Sequence, residues 1–198
     1  MVIVAAPRAG VLALQGDVRE HLGVLARLGA DAVPVRTPAD LVSVDVLVIP
    51  GGESSVIDKL SRAFGLQGPV RQRIAAGMPV YGTCAGLILL ADRITDAAPG
   101  QQTFGGIDVT VQRNAFGAQV DSFETELEVP DLGGPPVRAA FIRAPRVVEA
   151  GPDVQALASL DDGSIVAVRQ GRLVGTAFHP EVTGELRFHA LLLDLVRA

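Results

Sequence analysis

The sequence predicts an α/β fold, with a mostly parallel central sheet flanked by helices and additional antiparallel strands in its second half. Before residue 100, short Val-rich runs alternate with helical patterns. That alternation is the signature of βαβ units and of a parallel sheet covered on both faces. After Gly105, strand-like runs follow one another with little more than turn residues between them, which suits antiparallel pairing. The composition agrees: 48% of residues are hydrophobic but only 4% aromatic, so the core is built from Val, Leu, Ile and Ala.

Along the chain, Val11 to Leu14 reads as the first strand. Residues 17–28 read as a helix, with Leu22, Leu25 and Leu28 spaced by three and Gly29 where a helix ends. Residues 32–35 and 44–49 are buried strands, and Thr37-Pro38 caps and starts a brief helix between them. Helical patterns cover residues 54–64 and 69–76, the second closed by Gly77. Met78-Pro79-Val80-Tyr81 is the end of a buried strand, and Leu87 to Ala91 the start of a buried helix. Further strands are read at 107–112, 122–129, 137–142, 154–159, 165–169 and 173–178. Asp161-Asp162-Gly163 and Gln170-Gly171 resemble hairpin turns, and Gly133-Gly134-Pro135-Pro136 a surface loop. Residues 184–196 form a closing helix.

The bulk numbers exclude several classes of function. A net charge of -5 and few aromatic residues argue against nucleic acid as a partner. No apolar run approaches a membrane span, and the short apolar opening makes a poor signal peptide. A single cysteine excludes an internal disulfide and any multi-cysteine metal site, and suits a reducing cytoplasm.

That cysteine, Cys84, lies in Gly82-Thr83-Cys84-Ala85-Gly86, between a strand end and a helix start. Small residues on both sides permit the tight turn of a nucleophile elbow, and the helix N-terminus favours a thiolate. In open α/β sheets the site lies beyond the carboxyl ends of the strands. Two more segments sit there: Pro50-Gly51-Gly52-Glu53-Ser54 and Phe178-His179-Pro180-Glu181. Read as extended chain, the second projects His179 and Glu181 to the same side, so the carboxylate can hold the tautomer of the imidazole. Cys84, His179 and Glu181 thus supply nucleophile, base and orienting acid. Taken singly they are a small buried residue, a strand-end histidine and a loop carboxylate. Zinc is set aside because the ligand spacing is wrong. His21 and His189 lie on amphipathic helices, where surface or packing roles are the default.

The elbow and the distant His179-Pro180-Glu181 resemble the class I (triad) glutamine amidotransferases. Gly10 to Gly16, Glu20-His21, Pro50 to Ser54, Arg113-Asn114-Ala115-Phe116-Gly117, Asp121 to Glu124 and Phe141-Ile142-Arg143-Ala144-Pro145 carry the likeness nearly end to end. The Arg-Asn-x-Phe-Gly and Phe-Ile-Arg-Ala-Pro segments point within that group to glutaminase subunits of pyridoxal 5′-phosphate synthases. The resemblance implies a three-layer, flavodoxin-like amidotransferase domain over residues 10–198, preceded by an N-terminal extension at 1–9.

It further implies hydrolysis of L-glutamine to L-glutamate and ammonia through a glutamyl thioester, with no cofactor and no metal. Cys84, His179 and Glu181 are then the triad, and the backbone N–H groups of Gly52 and Ala85 the oxyanion hole. Gly52, Glu53, Ser54, Arg113, Ile142 and Arg143 bind the amino-acid end of the substrate. The sequence leaves open which of them takes the α-carboxylate and which the α-ammonium. The implied partner is a barrel-type pyridoxal 5′-phosphate synthase subunit in a hetero-oligomer, one glutaminase per synthase subunit, whose docking completes the oxyanion hole. Two alternatives stay open: a glutaminase feeding another synthase, and a glutamine-binding regulatory subunit without catalysis. One position departs from the common family pattern, since Ala118 stands where an arginine is usual.

Overall fold

A computed structural model describes residues 6–113 and 122–196. Residues 1–5, 114–121 and 197–198 lie outside the described residues, and with them part of the Arg-Asn-x-Phe-Gly segment, Ala118 and Asp121.

The first half alternates as the Val-rich runs require. Strands β1 (Arg8–Leu12), β2 (Asp31–Val35), β3 (Val46–Ile49) and β4 (Val80–Thr83) are separated by helices α1 (Val18–Arg27), α2 (Pro38–Val42), α3 (Ser54–Ala63) and α4 (Gln67–Ala75). β1 takes in Arg8 and Ala9, which the sequence reading assigns to the extension; Ala9 is fully buried and pairs with Val46. Thr37 and Asp40 form a reciprocal capping box at the start of α2. Gly29 and Gly77 stand just past the ends of α1 and α4 with positive φ.

The second half contains α5 (Ala85–Leu90), β5 (Ala91–Thr95), β6 (Ile107–Gln112), β7 (Phe123–Leu127), β8 (Val137–Phe141), β9 (Arg146–Ala150), β10 (Gln155–Ser159), β11 (Ile165–Gln170) and β12 (Leu173–Thr176). Two short helices close it, α6 (Pro180–Thr183) and α7 (Arg187–Asp194). The main sheet runs β2-β1-β3-β4-β12-β11-β9-β6-β5, with β10 on β11, while β7 and β8 form a separate antiparallel pair. β2, β1, β3, β4 and β12 are mutually parallel, and β12, β11, β9 and β6 pair antiparallel.

The sequence reading differs from this in further places. β5 follows α5 without a loop, so Ala91 is a strand residue and not helical. β9 was not read, because its outer positions Val148 and Glu149 are exposed and break the apolar run. The segment after His179 turns at once into α6 instead of running extended. The closing helix starts only at Arg187, because Gly184, left-handed at φ 77, caps α6 first.

Right-handed crossovers place α1 on one face of the sheet and α2 to α4 on the other, because β1 to β2 steps outward while β3 and β4 step inward. α1 packs on α6, and α3 on both α4 and α5. The core is aliphatic, yet its largest fully buried side chains include Tyr81, Phe141, Phe178 and Phe188. Phe178 has Phe141 at 5.5 Å and Phe188 at 5.6 Å between ring centres. Much of the scarce aromatic content is thus concentrated at β4, β8, β12 and α7, under the carboxyl ends of the central strands. Among the described residues no helix is long and apolar enough to cross a membrane.

Candidate active site

Register sets the site. Ile49 of β3 pairs with Gly82 of β4, and Thr83 of β4 with Thr176 of β12. Three parallel strands therefore end at one level, and the chain leaving each meets the others.

The elbow at Cys84 has φ 49 and ψ -99, a conformation that costs a non-glycine residue about 1–3 kcal/mol. Two glycines make it possible. A Cβ on Gly82 would run into the Gly86 backbone, and one on Gly86 into the carbonyl of Ile49. The turn is fastened by the Cys84 N–H donating to Thr176 O at 2.7 Å, and by Ile88 N–H donating to Cys84 O to open α5. The sulfur-bearing residue keeps 7% of its surface and lines a cavity of about 310 Å³, at the small end for ligand pockets.

His179 is placed by its N–H donating to Ala140 O of β8 at 3.0 Å. Its Nδ1 lies 2.8 Å from Oε1 of Glu181, whose side chain is wholly buried. The pairing expected from the sequence is present, but the first turn of α6 brings it about. Asp17 Oδ2, 3.5 Å from the same Nδ1, forms a second ion pair with the ring. Burial opposes a charge on His179. Hydrogen bonding to Asp17, Cys84 and Glu181, with the charge on the sulfur, outweighs it and pushes the imidazole pKa from 6.5 up to about 12. The sulfur is thus a hydrogen-bond partner of the ring at the cavity wall.

Asp17, His179 and Glu181 also bring three possible metal-ligand atoms within 4.8 Å of one another. A cation there would have to displace the Nδ1 proton that serves both carboxylates.

The remaining walls come from loops. Cys84, His179, Gly52, Glu53, Ser54, Arg113, Ile142 and Arg143 all line the cavity, so the structure brings together every residue read as substrate-binding. Glu181 stands behind His179, and Ala85, the first residue of α5, is buried beside the sulfur-bearing residue. Gly51 lies close against the His179 ring, where a Cβ would overlap Cε1. Glu53 caps α3, accepting from Ser55 N at 3.3 Å, and receives Arg113 Nη2 at 2.7 Å. That ion pair joins a half-exposed carboxylate to a mostly buried guanidinium at the cavity wall. Ser54 Oγ accepts from Gln101 Nε2. Arg143, like Cys84, has positive φ, at 47.

Gln15, Asp17 and Ile88 complete the lining and were not assigned from the sequence. Gln15 Oε1 accepts the Glu53 N–H at 2.7 Å, and Asp17 N–H donates to Gly51 O at 3.2 Å, so both hold the glycine loop. A signal was available: Gln15-Gly16-Asp17 follows the carboxyl end of β1, the same kind of position as the other three segments.

Known proteins resemble this chain nearly end to end. The model of the SNO glutamine amidotransferase family matches residues 11–197. The pyridoxal 5′-phosphate synthase subunit PdxT of Clavibacter michiganensis subsp. michiganensis is 65% identical over 190 residues, 96% of this chain and 91% of the relative. The protein of the same name from Acidothermus cellulolyticus is 60% identical, over 97% of this chain and 95% of its own length. A crystal structure of a glutamine amidotransferase superimposes with a TM-score of 0.89 at 45% identity, covering 96% of this chain and 99% of that one. The chain belongs to the SNO glutamine amidotransferase family.

Proposed function

We propose that this chain hydrolyses L-glutamine at Cys84 and passes the ammonia to a synthase subunit that builds pyridoxal 5′-phosphate. The observation that carries the reading is the His179 ring, held at 2.8 Å by buried Glu181 and within reach of the Cys84 sulfur at a cavity wall.

The thiolate attacks the side-chain carboxamide carbon, and the carbonyl oxygen becomes an oxyanion. The N–H groups of Ala85, at the start of α5, and of Gly52 are the donors we assign to it. As the C–N bond breaks, the His179 imidazolium gives its proton to the leaving nitrogen, which departs as ammonia and leaves a glutamyl thioester on Cys84. The neutral ring then takes a proton from water as the water attacks the thioester. The C–S bond breaks, glutamate leaves and the thiolate returns. Glu181 stays a carboxylate throughout and orients the ring.

Glu53, Ser54, Arg113, Ile142, Arg143 and Gly52 are the groups we assign to the amino-acid end of glutamine. Arg113 and Arg143 suit its α-carboxylate and Glu53 its α-ammonium. The Arg113–Glu53 pair then opens or shares its charges as substrate enters. Residues 10–198 act as one amidotransferase domain in this reading.

Ammonia is protonated in water, so the product is useful only if it is handed over directly. The relatives are named as subunits of pyridoxal 5′-phosphate synthase. The partner we infer is a barrel-type synthase subunit, one per glutaminase, whose docking completes the oxyanion hole. A nucleophilic thiol must stay reduced, and we take the cytoplasm as the place of reaction.

The test is a glutaminase assay with and without the synthase, with pyridoxal phosphate followed by absorbance. Turnover should rise when the synthase is added. Strong hydrolysis by the chain alone, unchanged by the synthase, would refute dependence on docking. Cys84→Ala should abolish hydrolysis and leave the fold intact; residual turnover within about tenfold of wild type would mean another nucleophile operates.

A further inference from the structure

A pair of imidazoles, His21 and His189, lies next to the site but outside the lining of its cavity. His21 is on the inner face of α1, in one stripe with Val24 and Leu25, and His189 is on the inner face of α7. Both are wholly buried. His21 Nδ1 lies 2.8 Å from His189 Nε2. His21 Nε2 lies 3.2 Å from Oγ1 of Thr83, the residue before the nucleophile, and 3.6 Å from Glu181 Oε1. That oxygen is also the one bonded to His179. Glu181 Oε1 is therefore approached by two rings.

The protons on this pair can be assigned. Burial, then the charges of His189 and His179, hold the pKa of His21 well below 6.5. Burial brings His189 down to about 4, against an opposing effect of Glu185. Both rings are neutral near pH 7, so each has one N–H and one lone pair. Suppose His21 donated from Nδ1. His189 would then carry its proton on Nδ1, which has no hydrogen-bond partner among the described residues. A buried donor left unpaired costs about 1–3 kcal/mol. In that arrangement the lone pair of His21 Nε2 would also face the Glu181 carboxylate. The opposite arrangement has neither defect. His189 Nε2–H donates to His21 Nδ1, and His21 Nε2–H donates to Thr83 Oγ1 at 3.2 Å, with the Glu181 oxygen just beyond it at 3.6 Å. Only a lone pair on His189 Nδ1 is then unpartnered.

We propose that His21 is a positioning residue for Glu181: its Nε2–H, its tautomer fixed by His189, holds the buried carboxylate against His179. The need is evident, because Glu181 Oε2 has no hydrogen-bond partner among the described residues, which leaves the groups around Oε1 to offset the cost of burying the carboxyl group. The other titratable groups around the pair are His179 and Asp17 on the cavity side, Glu185 after α6, and the Tyr81 phenol of β4, which meets His189 edge-on. Burial and then the charge of Glu181 raise the Tyr81 pKa, so the phenol stays protonated. It gives its hydrogen bond to Thr176, not to Glu181.

The proposal rests on the glutaminase reading only for its kinetic arm. Alkylation by iodoacetamide tests it without turnover, because Cys84 is the only thiol in the chain and its rate near neutral pH reports the thiolate–imidazolium pair. His21→Leu removes the donor and should slow alkylation about tenfold, as expected when one interaction worth about one pKa unit is lost. In the complex with synthase, it should lower kcat for glutamine hydrolysis by a similar factor with KM little changed. The alkaline limb of the pH profile should also move down as His179 gives up its proton more readily. His21→Gln keeps an N–H near the Nε2 position and should restore both readouts to within about threefold.

His189→Phe keeps the ring and removes only the hydrogen bond to His21, and should shift both readouts in the same direction by less. If His21→Leu does not fold, this variant decides: unchanged alkylation in it overturns the proposal. So does wild-type alkylation in a folded His21→Leu chain, or a His21→Gln chain as impaired as His21→Leu. A wild-type complex that fails to hydrolyse glutamine would overturn the glutaminase reading and leave the alkylation result standing.

Discussion

Replacing Glu181 by glutamine isolates what a buried charge contributes to an imidazole already flanked by a second carboxylate. Nδ1 of His179 has Glu181 Oε1 at 2.8 Å and Asp17 Oδ2 at 3.5 Å. The first carboxylate is fully buried and the second 41% exposed, so water screens Asp17 and hardly touches Glu181. A hydrogen bond to a charged group is worth about 1.5–3 kcal/mol, or roughly 10- to 150-fold in rate if it acts on the imidazolium of the transition state. Triads whose acid has no substitute lose about 10⁴-fold on the same change. Asp17 is such a substitute, so Glu181→Gln should lower kcat by about 100-fold. Asp17→Asn alone should cost about threefold or less, as screening predicts. The double variant should fall well below the product of the two, because each carboxylate covers for the other. The same logic sets the pH dependence. His179 is held at a raised pKa of about 12. Its imidazolium therefore stabilises the fold fully below pH 6.5, and that contribution is lost as pH rises through the raised value. Glu181→Gln should move the loss to lower pH. The assay is steady-state glutamine hydrolysis by the synthase complex across pH, with thermal unfolding as the control. A Glu181→Gln enzyme within threefold of wild type, or a double variant no worse than Glu181→Gln, would refute the reasoning.

Two further changes follow from the packing. Gly51→Ala places a Cβ on Cε1 of His179, and a displaced general acid of this kind costs about 100-fold in rate. The expected outcome is that loss in glutamine turnover with a melting temperature within a few degrees of wild type; near-normal turnover would show that the ring tolerates a shift. His189 has a pKa depressed from 6.5 to about 4, so the unfolded chain binds its proton before the folded one does. Stability should therefore fall as the pH drops from 6.5 toward 4, by about 3 kcal/mol for this group. His189→Phe should flatten that part of a urea-unfolding series, and an unchanged slope would count against burial of a neutral ring.

The parts of this molecule legible in the sequence are those where one local pattern decides. β3 and β4 are buried on both faces and read as apolar runs, and the glycines around Cys84 announce a turn that no Cβ could make. The site was legible for a similar reason, since three of its segments follow strands and carry reactive side chains. What stayed hidden depends on partners far along the chain. In α1 the evenly spaced leucines suggest a face through Leu22, whereas the buried face runs through His21, Val24 and Leu25. Nothing nearby in sequence predicts that His21 finds a partner 168 positions away. Asp17 is read from the sequence only as the start of the first helix, yet its side chain makes no cap hydrogen bond and lies 3.5 Å from the His179 ring. β9 is not legible because three of its five positions are exposed.

The arrangement also explains why the reactive groups come from such distant positions. A parallel strand cannot be followed directly by its neighbour, so each carboxyl end opens into a separate loop. β1, β3, β4 and β12 lie side by side in the sheet. Their loops supply, in order, Gln15 with Asp17, Gly51 with Glu53, Cys84, and His179 with Glu181. The pairing of Thr83 with Thr176 then fixes how far the sulfur stands from the imidazole, and the Cys84 N–H to Thr176 O bond fastens it. A slip of one residue in that pair would turn every side chain of one strand to the other face. Such a slip is opposed by Tyr81, which points into the core from β4, stacks on Phe188 at 6.0 Å and gives its hydroxyl a partner in Thr176. The same contacts that fill the core beneath the site therefore set the distance on which its chemistry depends, and the strain at Cys84 persists because the surrounding sheet leaves it no alternative.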